Sequence, residues 1–260
     1  MILWRLSPLR YGGEILGGEG MPFEPGIKIF ADASSVQEIH DFAPEAWVAG
    51  FTTNPTLLKK GGVTDYKQFA MEAVVAAQLK PLSLEVVADD LETMENQGRV
   101  LGLLGSNVVV KIPITTTRGE SCLPVVRSLL DAGVGVNVTA VMTDDQVSAV
   151  VESLAPTDAI IVSVFAGRIA DSGVDPVPVM RRYVEWLASV PRAEVLWASP
   201  REVLNIVQAE DCGCDIITVT PELLRKVESL GKDLNQFSLE TVRMFHEDAL
   251  SSEFQIEHGP

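Results

Sequence analysis

Eight short runs of β-branched and other apolar residues recur along the chain, at 27–32, 47–53, 82–87, 108–114, 135–141, 160–165, 195–199 and 215–220. Between them lie amphipathic, charge-bearing stretches with helical periodicity, for example 66–79, 91–104, 123–132, 144–154, 179–189 and 201–210. Pro200 and Pro221 stand where a first helical turn would begin, and Gly133 and Gly213 where a helix would stop. Strands alternating with helices predict right-handed βαβ units and a parallel sheet. Eight such units within residues 27–251 predict a single (β/α)8 barrel of the TIM type rather than an open doubly wound sheet. A last helix, over 239–250, would pack on the barrel or on a neighbour. Residues 1–26 differ in composition, rich in glycine and punctuated by Pro22 and Pro25, and are expected to carry little order. They read as a loose arm, an oligomer contact or a stretch ahead of a true start at Met21, and their apolar beginning is too short for a signal-peptide core. Residues 252–260 form a polar tail.

Polar residues interrupt the apolar runs at a recurring place. Asp32 ends the first run, and Thr52, Thr53 and Asn54 end the second. Glu85 falls in the third, Lys111 in the fourth, and Asn137 and Thr139 in the fifth. Ser163 and Arg168 flank the end of the sixth, while Ser199 ends the seventh with Arg201 just beyond. A barrel brings the C-terminal ends of its strands to one mouth, where the active sites of this fold lie. One buried Thr or Asn says little, because such residues are common when hydrogen-bonded. A set of them near the end of nearly every strand predicts a site.

Lys111 is the most telling of these residues. It sits inside Asn107-Val-Val-Val-Lys-Ile-Pro-Ile114, which reads as a strand buried on both faces. Lysine is almost never fully buried without a partner or a task. At its ordinary pKa of about 10.4 a lysine is neutral in roughly one molecule in 2,500 at pH 7. Burial disfavours the charged form of such a side chain and so favours the nucleophilic amine. Three readings are open on this residue alone: a Schiff-base nucleophile for a carbonyl substrate, a phosphate clamp, or a buried ion pair.

Composition narrows the partners. The 260 residues are 47% hydrophobic and 22% charged, enough for a large core. Lys+Arg number 20 against 36 Asp+Glu, for a formal net charge of -16. That balance argues against nucleic acid and anionic membrane surfaces as partners, so a phosphorylated substrate would need a local cationic pocket. No apolar run is long enough to span a membrane. Three cysteines, Cys122, Cys212 and Cys214, are an odd number in a long chain and predict no disulfide framework, which fits a reducing cytoplasm. His40, His246 and His258 are scattered without zinc spacing, so no metal site is predicted.

A Schiff-base aldol reaction needs a neutral lysine, groups that shuttle protons, and donors for the substrate hydroxyls. For a sugar phosphate it also needs a cation cluster. The chain offers candidates for each. Lys111 would be the nucleophile, and Asp32 and Glu85 the carboxylates for proton transfer. Thr53, Asn54, Asn137, Thr139 and Ser163 are neutral donors and acceptors. Arg168 and Arg201, with Ser199 beside a helix N-terminus, would cradle a phosphate.

The segments Phe30-Ala-Asp32, Thr52-Thr-Asn-Pro55, Ser83-Leu-Glu85, Val109-Val-Lys-Ile-Pro113, Asn137-Val-Thr139, Ser163-Val-Phe-Ala-Gly-Arg168 and Ala198-Ser-Pro-Arg201 follow one another at barrel spacing. Together with Phe237-Ser-Leu-Glu-Thr-Val242, they resemble the small-subunit branch of the transaldolase family, which includes the fructose-6-phosphate aldolases, over roughly 27–249. The resemblance implies a class I mechanism without a cofactor. A ketose phosphate forms an imine with Lys111, a dihydroxyacetone unit stays bound, and an aldose acceptor takes it. By the same resemblance Asp32 is the acid/base, Glu85 and Thr139 hold the catalytic water, and Asn54 and Ser163 grip the dihydroxyacetone unit. Arg168, Ser199 and Arg201 would then hold the phosphate. The partners implied are small-molecule sugar phosphates and, since relatives form rings of several copies through the C-terminal helix, other copies of the same chain in a homo-oligomer.

Two positions separate the branches of that family. The aldolase branch has glutamine in place of Glu85 and tyrosine in place of Phe165, and the tyrosine helps release free dihydroxyacetone. Phe165 has no hydroxyl to give a proton, so the resemblance implies transfer; lyase-type release is the alternative. A non-catalytic sugar-phosphate-binding barrel is the reading from another class. Val164 stands where the family often has proline, Pro200 where it has an aliphatic or aromatic residue, and the loop 115–121 is longer than usual and would bring Arg118 near the mouth. These departures leave room for a sulfonated or longer-chain sugar.

Overall fold

The computed structural model describes residues 26–252. The amino-terminal stretch expected to lack order and the polar tail therefore lie, but for Gly26 and Ser252, outside the described residues. Eight parallel strands close into a barrel in chain order. They are β1 Lys28–Asp32, β2 Val48–Thr52, β3 Leu82–Glu85, β4 Val108–Pro113, β5 Gly135–Val141, β6 Ile160–Val164, β7 Ala193–Trp197 and β8 Ile216–Val219. The expected (β/α)8 architecture is the one observed, and each strand falls on one of the eight apolar runs.

Helices α1 Val36–Phe42, α2 Pro55–Lys60, α3 Tyr66–Ala76, α4 Leu91–Gly102 and α5 Leu123–Asp131 follow the first four strands. After them come α6 Asp144–Ser153, α7 Ala166–Asp171, α8 Pro176–Leu187, α9 Leu204–Asp211 and α10 Pro221–Leu224. Most begin on a side-chain cap, Thr143 closing a capping box with Gln146 at the head of α6. Gly133 and Gly213 do end helices, each one residue past the cap with φ of 74° and 79°. Pro221 opens α10 as expected, but Pro200 opens nothing: α9 starts four residues later, at Leu204. Residues 199–203 are instead taken up by a turn in which the Asn205 side chain accepts from the Arg201 and Glu202 amides. Helix α8 begins three residues earlier than predicted because Asp175 caps it and Pro176 and Pro178 fit its first turn.

The barrel interior is layered. Phe30, Ile161, Leu196, Ala198 and Ile216 form an apolar plug, with Ala49, Val109 and Phe165 packed against it. Gly50 lets the Phe30 ring lie against β2, since a Cβ there would meet that ring at 2.6 Å. Above the plug the inward positions turn polar. By the period of two along a strand, the alternate residues Ile29, Val110, Ile112, Val162 and Trp197 are buried on the helix side. The barrel is one compact unit that runs to Arg225. The residues from Lys226 on belong to a second unit and carry α11, Leu234–Ser251, started by the Asp233 cap. It begins five residues before the predicted 239.

Candidate active site

Strand pairing sets the centre of the site. Glu85 lies opposite Lys111 across β3 and β4, and Lys111 opposite Asn137 across β4 and β5, so three inward polar side chains stand in one row. Lys111 is 5% exposed. Its Nζ donates to the Thr53 carbonyl at 2.8 Å and lies 3.1 Å from Glu85 Oε2. The neighbouring strands thus supply the amine with a carboxylate and a carbonyl, an arrangement that the ion-pair reading of this residue allowed. Both draw it toward the β2–β3 side of the mouth. Tyr66, from α3, donates to the Glu85 backbone carbonyl at 2.7 Å and pins that residue from behind.

Asp32 occupies the mouth at the end of β1. Its Oδ1 accepts from Thr52 Oγ1 at 2.8 Å, and Asn54 Nδ2 approaches its two oxygens at 3.5 and 3.3 Å. Asn54 serves twice, because its Oδ1 also caps α2 by accepting from the Leu57 amide. The Thr52 hydroxyl is tied on its other side to Thr218 at 2.5 Å. Desolvation raises the Asp32 pKa above the ordinary carboxylate value, and the negative charge of Glu85 adds to it. Lys111, Thr52 and Asn54 act in the opposite direction without cancelling the effect. A carboxyl held partly toward its protonated form is suited to passing a proton near neutral pH.

On the other flank of Lys111 the inner layer satisfies itself. Ser163 Oγ donates to Asn137 Oδ1 at 2.7 Å, and Asn137 Nδ2 donates to Ser83 Oγ at 3.2 Å. Thr139, two residues on, is 1% exposed, and its Oγ1 has no hydrogen-bond partner among the described residues. Thr139 precedes a bulge in the β5–β6 ladder, where Ala140 takes a φ of 62°. Thr53 departs from its sequence-based role. Its side chain is fully buried, and its hydroxyl donates to the Ser83 carbonyl at 3.0 Å, so its backbone carbonyl rather than its hydroxyl faces Lys111.

The two arginines come from neighbouring connections, after β6 and after β7. Gly167 joins those connections: its amide donates to the Ala198 carbonyl at 3.3 Å, and a Cβ on it would fall 1.6 Å from the Ser199 carbonyl oxygen and 3.2 Å from Arg201 Nε. Ser199 takes a φ of 62°, a conformation that non-glycine residues adopt rarely and that concentrates at functional sites. Arg168 follows Gly167 in α7, exposed, with its guanidinium 5.8 Å from the centre of the Phe165 ring. Arg201 is not free as a sequence reading implies: its Nε and a second nitrogen are both engaged by Asp171 of α7. Both side chains of that pair are about half exposed, so the pair is weak and an incoming dianion can compete for the guanidinium.

The loop after β4 folds into a small hairpin, with Thr115 bridged to Ser121 and Gly119 at φ 80°. Thr117 bonds Asp89 through both its amide and its hydroxyl. Those bonds hold the Asp89 carboxyl below its ordinary pKa, and Arg118 contributes in the same direction. Arg118 thus lies near enough to Asp89 and Asp90, at the start of α4, for its charge to be felt by both. Sequence reasoning gave no role to Ser83, which it quoted only within a motif, and passed over Tyr66, Thr218 and Asp171. Ser83 was within reach, being two residues before Glu85 and hence on the same strand face. Tyr66 and Asp171 act from helices, and nothing in their local sequence marks them. Among the described residues no helix is long and apolar enough to cross a membrane.

A model of the transaldolase/fructose-6-phosphate aldolase family matches residues 29–258. A protein of Nitrosopumilus maritimus named probable transaldolase is 34% identical over 82% of this chain and 92% of its own length. One of the same name from Bdellovibrio bacteriovorus is 32% identical over 77% of this chain and 89% of its own. Among solved structures, thiamine phosphate pyrophosphorylase from Pyrococcus furiosus superposes with a TM-score of 0.51 at 12% identity, covering 78% of this chain and 93% of that one, a likeness of fold alone. With matches of that extent and a lysine-centred mouth beneath them, the chain belongs to the transaldolase/fructose-6-phosphate aldolase family.

Proposed function

We propose that this protein is a class I transaldolase that moves a dihydroxyacetone unit from a ketose phosphate, of the fructose 6-phosphate or sedoheptulose 7-phosphate type, to an aldose acceptor. The observation that carries the reading is the position of Lys111 Nζ, buried at the barrel mouth between Glu85 and the Thr53 carbonyl. Glu85 is close enough to take the amine's proton, which leaves a lone pair to attack the ketose carbonyl. The carbinolamine then loses one water to give the imine. Asp32 accepts the proton of the C4 hydroxyl, the C3–C4 bond breaks, and its electron pair moves to C3 as the iminium becomes an enamine. An aldose phosphate leaves. The acceptor aldehyde is attacked by the enamine carbon, Asp32 returns its proton to the new alkoxide, and water hydrolyses the imine to restore Lys111. Asn54 and Ser163 would hold the hydroxyls of the bound unit, and Arg168, Ser199 and Arg201 the phosphate. The Thr139 hydroxyl, without a hydrogen-bond partner among the described residues, and the Glu85 carboxylate would hold the water used in hydrolysis.

Transfer is favoured over release because Phe165, just past the end of β6 and packed against the apolar plug, is a ring without a proton to give. Self-association is supported by α11, which buries none of its eighteen residues and exposes Leu239, Val242 and Phe245. Borohydride reduction in the presence of fructose 6-phosphate should add a three-carbon or six-carbon mass to Lys111 and none to a Lys111→Met variant. Turnover of fructose 6-phosphate should stay low until erythrose 4-phosphate is supplied. Rapid appearance of free dihydroxyacetone without acceptor would make the protein a lyase. No mass on Lys111 would remove the Schiff-base reading altogether.

A further inference from the structure

Closure of the barrel sets β1 between β8 and β2, and each neighbour carries a threonine on the interior side. Asp32 lies opposite Thr52 of β2, and Phe30, two residues before it, lies opposite Thr218 of β8. The period of two puts Thr218 on the same strand face as Ile216 of the apolar plug, so it too faces into the barrel. Both threonines are buried, and their hydroxyls meet at 2.5 Å. Thr52 Oγ1 also donates to Asp32 Oδ1 at 2.8 Å. Among the described residues no hydrogen bond joins Thr218 to Asp32 itself, so an influence of Thr218 on that carboxylate passes through Thr52.

A threonine hydroxyl has one hydrogen to donate and lone pairs with which to accept. The Thr52 hydrogen can therefore serve Asp32 or Thr218, not both. If it served Thr218, the Thr218 hydrogen would need another acceptor, and among the described residues Thr218 Oγ1 is bonded to Thr52 alone. That arrangement strands a buried donor and turns a Thr52 lone pair toward a carboxylate. The stable order is Thr218 donating to Thr52 and Thr52 donating to ionised Asp32. A hydroxyl that accepts a hydrogen bond becomes a better donor, so Thr218 strengthens the bond with which Thr52 opposes the desolvation of Asp32. The charges acting on Asp32 are Lys111 of β4 and Glu85 of β3. Of the acids on α1 and α10, Glu38 is engaged by the Ser34 amide and hydroxyl, and Glu222 is exposed.

We propose that Thr218 is a positioning residue for the aldol chemistry: by donating to Thr52 it commits the Thr52 hydrogen to Asp32, and so keeps that carboxylate ionised to accept the C4 proton of the donor. The inference rests on the reading of Asp32 as the base. The test is the pH profile of kcat/KM for transfer from fructose 6-phosphate to erythrose 4-phosphate, which reports the free enzyme. The phosphates of the substrates titrate alike with every variant, so a difference between variants belongs to the protein. Thr218→Val keeps the shape of the side chain and removes the hydroxyl. It should move the acidic limb toward neutrality by about 0.2–0.6 of a pH unit, as expected where a hydrogen bond to an anion loses about a tenth to a third of its strength. Thr218→Ser should keep the wild-type limb. In a Thr52→Val background the same Thr218→Val change should no longer move the limb, because its route to Asp32 is gone. Should the valine variant fail to fold, Thr218→Ala removes the same hydroxyl and carries the same expectation. An unmoved limb, or one displaced to lower pH, in an enzyme that still requires Asp32 would overturn the role of Thr218 alone. Equal displacement by serine and valine, or displacement that persists without the Thr52 hydroxyl, would show that Thr218 acts by packing and would overturn it too. Full turnover by Asp32→Asn would instead remove the base from the functional reading, and this inference with it.

Discussion

Gly167→Ala isolates the phosphate cradle from the rest of the site. The added Cβ would fall 1.6 Å from the Ser199 carbonyl oxygen and 2.7 Å from its carbon. Real Cβ atoms essentially never come within 3.0 Å of such an atom, so the two connections must part by well over an ångström. Both obstructing atoms are backbone, and Ser199 is already held at a φ of 62°, so the turn has little room to yield. Arg168 follows Gly167 directly, and Arg201 lies two residues past Ser199. The movement is thus delivered to both guanidiniums. A displacement of about 1 Å away from the chemistry can cost on the order of 10²-fold in rate. The expected loss in kcat/KM with fructose 6-phosphate is therefore about 10²-fold or more, equivalent to about 2.7 kcal/mol of transition-state binding. Borohydride trapping of hydroxyacetone on Lys111, which uses no phosphate, should change by only a few fold. A thermal melt beside the kinetics checks that the barrel is intact, since overpacking typically costs about 1–3 kcal/mol. Retention of full activity with the phosphorylated substrate would refute the cradle. Equal losses with both substrates would show that Gly167 supports the barrel as a whole.

Three further outcomes follow from the same geometry. Asp32 has a folded-state pKa raised above its ordinary 3.8, so the folded protein binds the proton more tightly than the unfolded chain, and this contribution to stability is lost as pH rises through the folded value. Asp32→Asn should therefore melt at the same temperature as wild type near pH 3 and higher than it at pH 7, while losing turnover; a lower melting temperature at pH 7 would contradict the burial argument. Glu85→Gln removes the carboxylate 3.1 Å from Lys111 Nζ and should cost up to about 3 kcal/mol, with kcat down about 10²-fold or more; unchanged kcat would exclude Glu85 from proton transfer. Leu129, fully buried on α5, faces Gly98 of α4, where a Cβ would lie 2.7 Å from a Leu129 methyl. Leu129→Ala should lose about 2–5 kcal/mol and Gly98→Ala about 1–3, but the double variant should lose less than their sum in denaturant melts, because the new methyl enters the vacated space.

The barrel was legible because its evidence is repeated. Eight apolar runs with helical stretches between them leave few topologies, and a misjudged boundary such as the one at Pro200 does not change the count. That error has a physical origin. Proline at a first helical turn is a statistical preference, and here Asn205 takes the amides of Arg201 and Glu202 into a turn that a reader of local sequence has no reason to expect. Inward polar residues at strand ends were legible for the same reason as the strands, since the period of two assigns them to a face. Partnerships were not. Lys111 could be seen as buried, but whether it faced hydrocarbon or a carboxylate depends on the register of β3 against β4, which spacing alone leaves open. Asp171 on Arg201 and Tyr66 behind Glu85 depend on how helices settle over the mouth, and those contacts have no signature along the chain.

The polar layer also bears on why transfer and hydrolysis would be handled by different residues. A buried hydroxyl or amide without a partner costs roughly 1–3 kcal/mol, so a barrel gains by pairing such groups with one another. Ser83, Asn137 and Ser163 are paired in this way, and so are Thr52, Thr218 and Asp32. Thr139 Oγ1, on the strand next to Lys111, has no such partner among the described residues. A fold selected only for stability would replace that threonine with valine, which has the same shape and no hydroxyl to desolvate. Retaining the hydroxyl is explained if a water or a substrate oxygen completes it during turnover. Phe165, on the opposite side of the β5–β6 pair, brings no second hydroxyl, so on the proposed mechanism the proton for product release has to pass through the Thr139 and Glu85 side of the mouth. Thr139→Val should then leave borohydride trapping of the donor on Lys111 intact and slow the release of product, so that the trapped fraction at steady state rises. If that fraction is unchanged while turnover is also unchanged, the unpartnered hydroxyl has no part in the reaction.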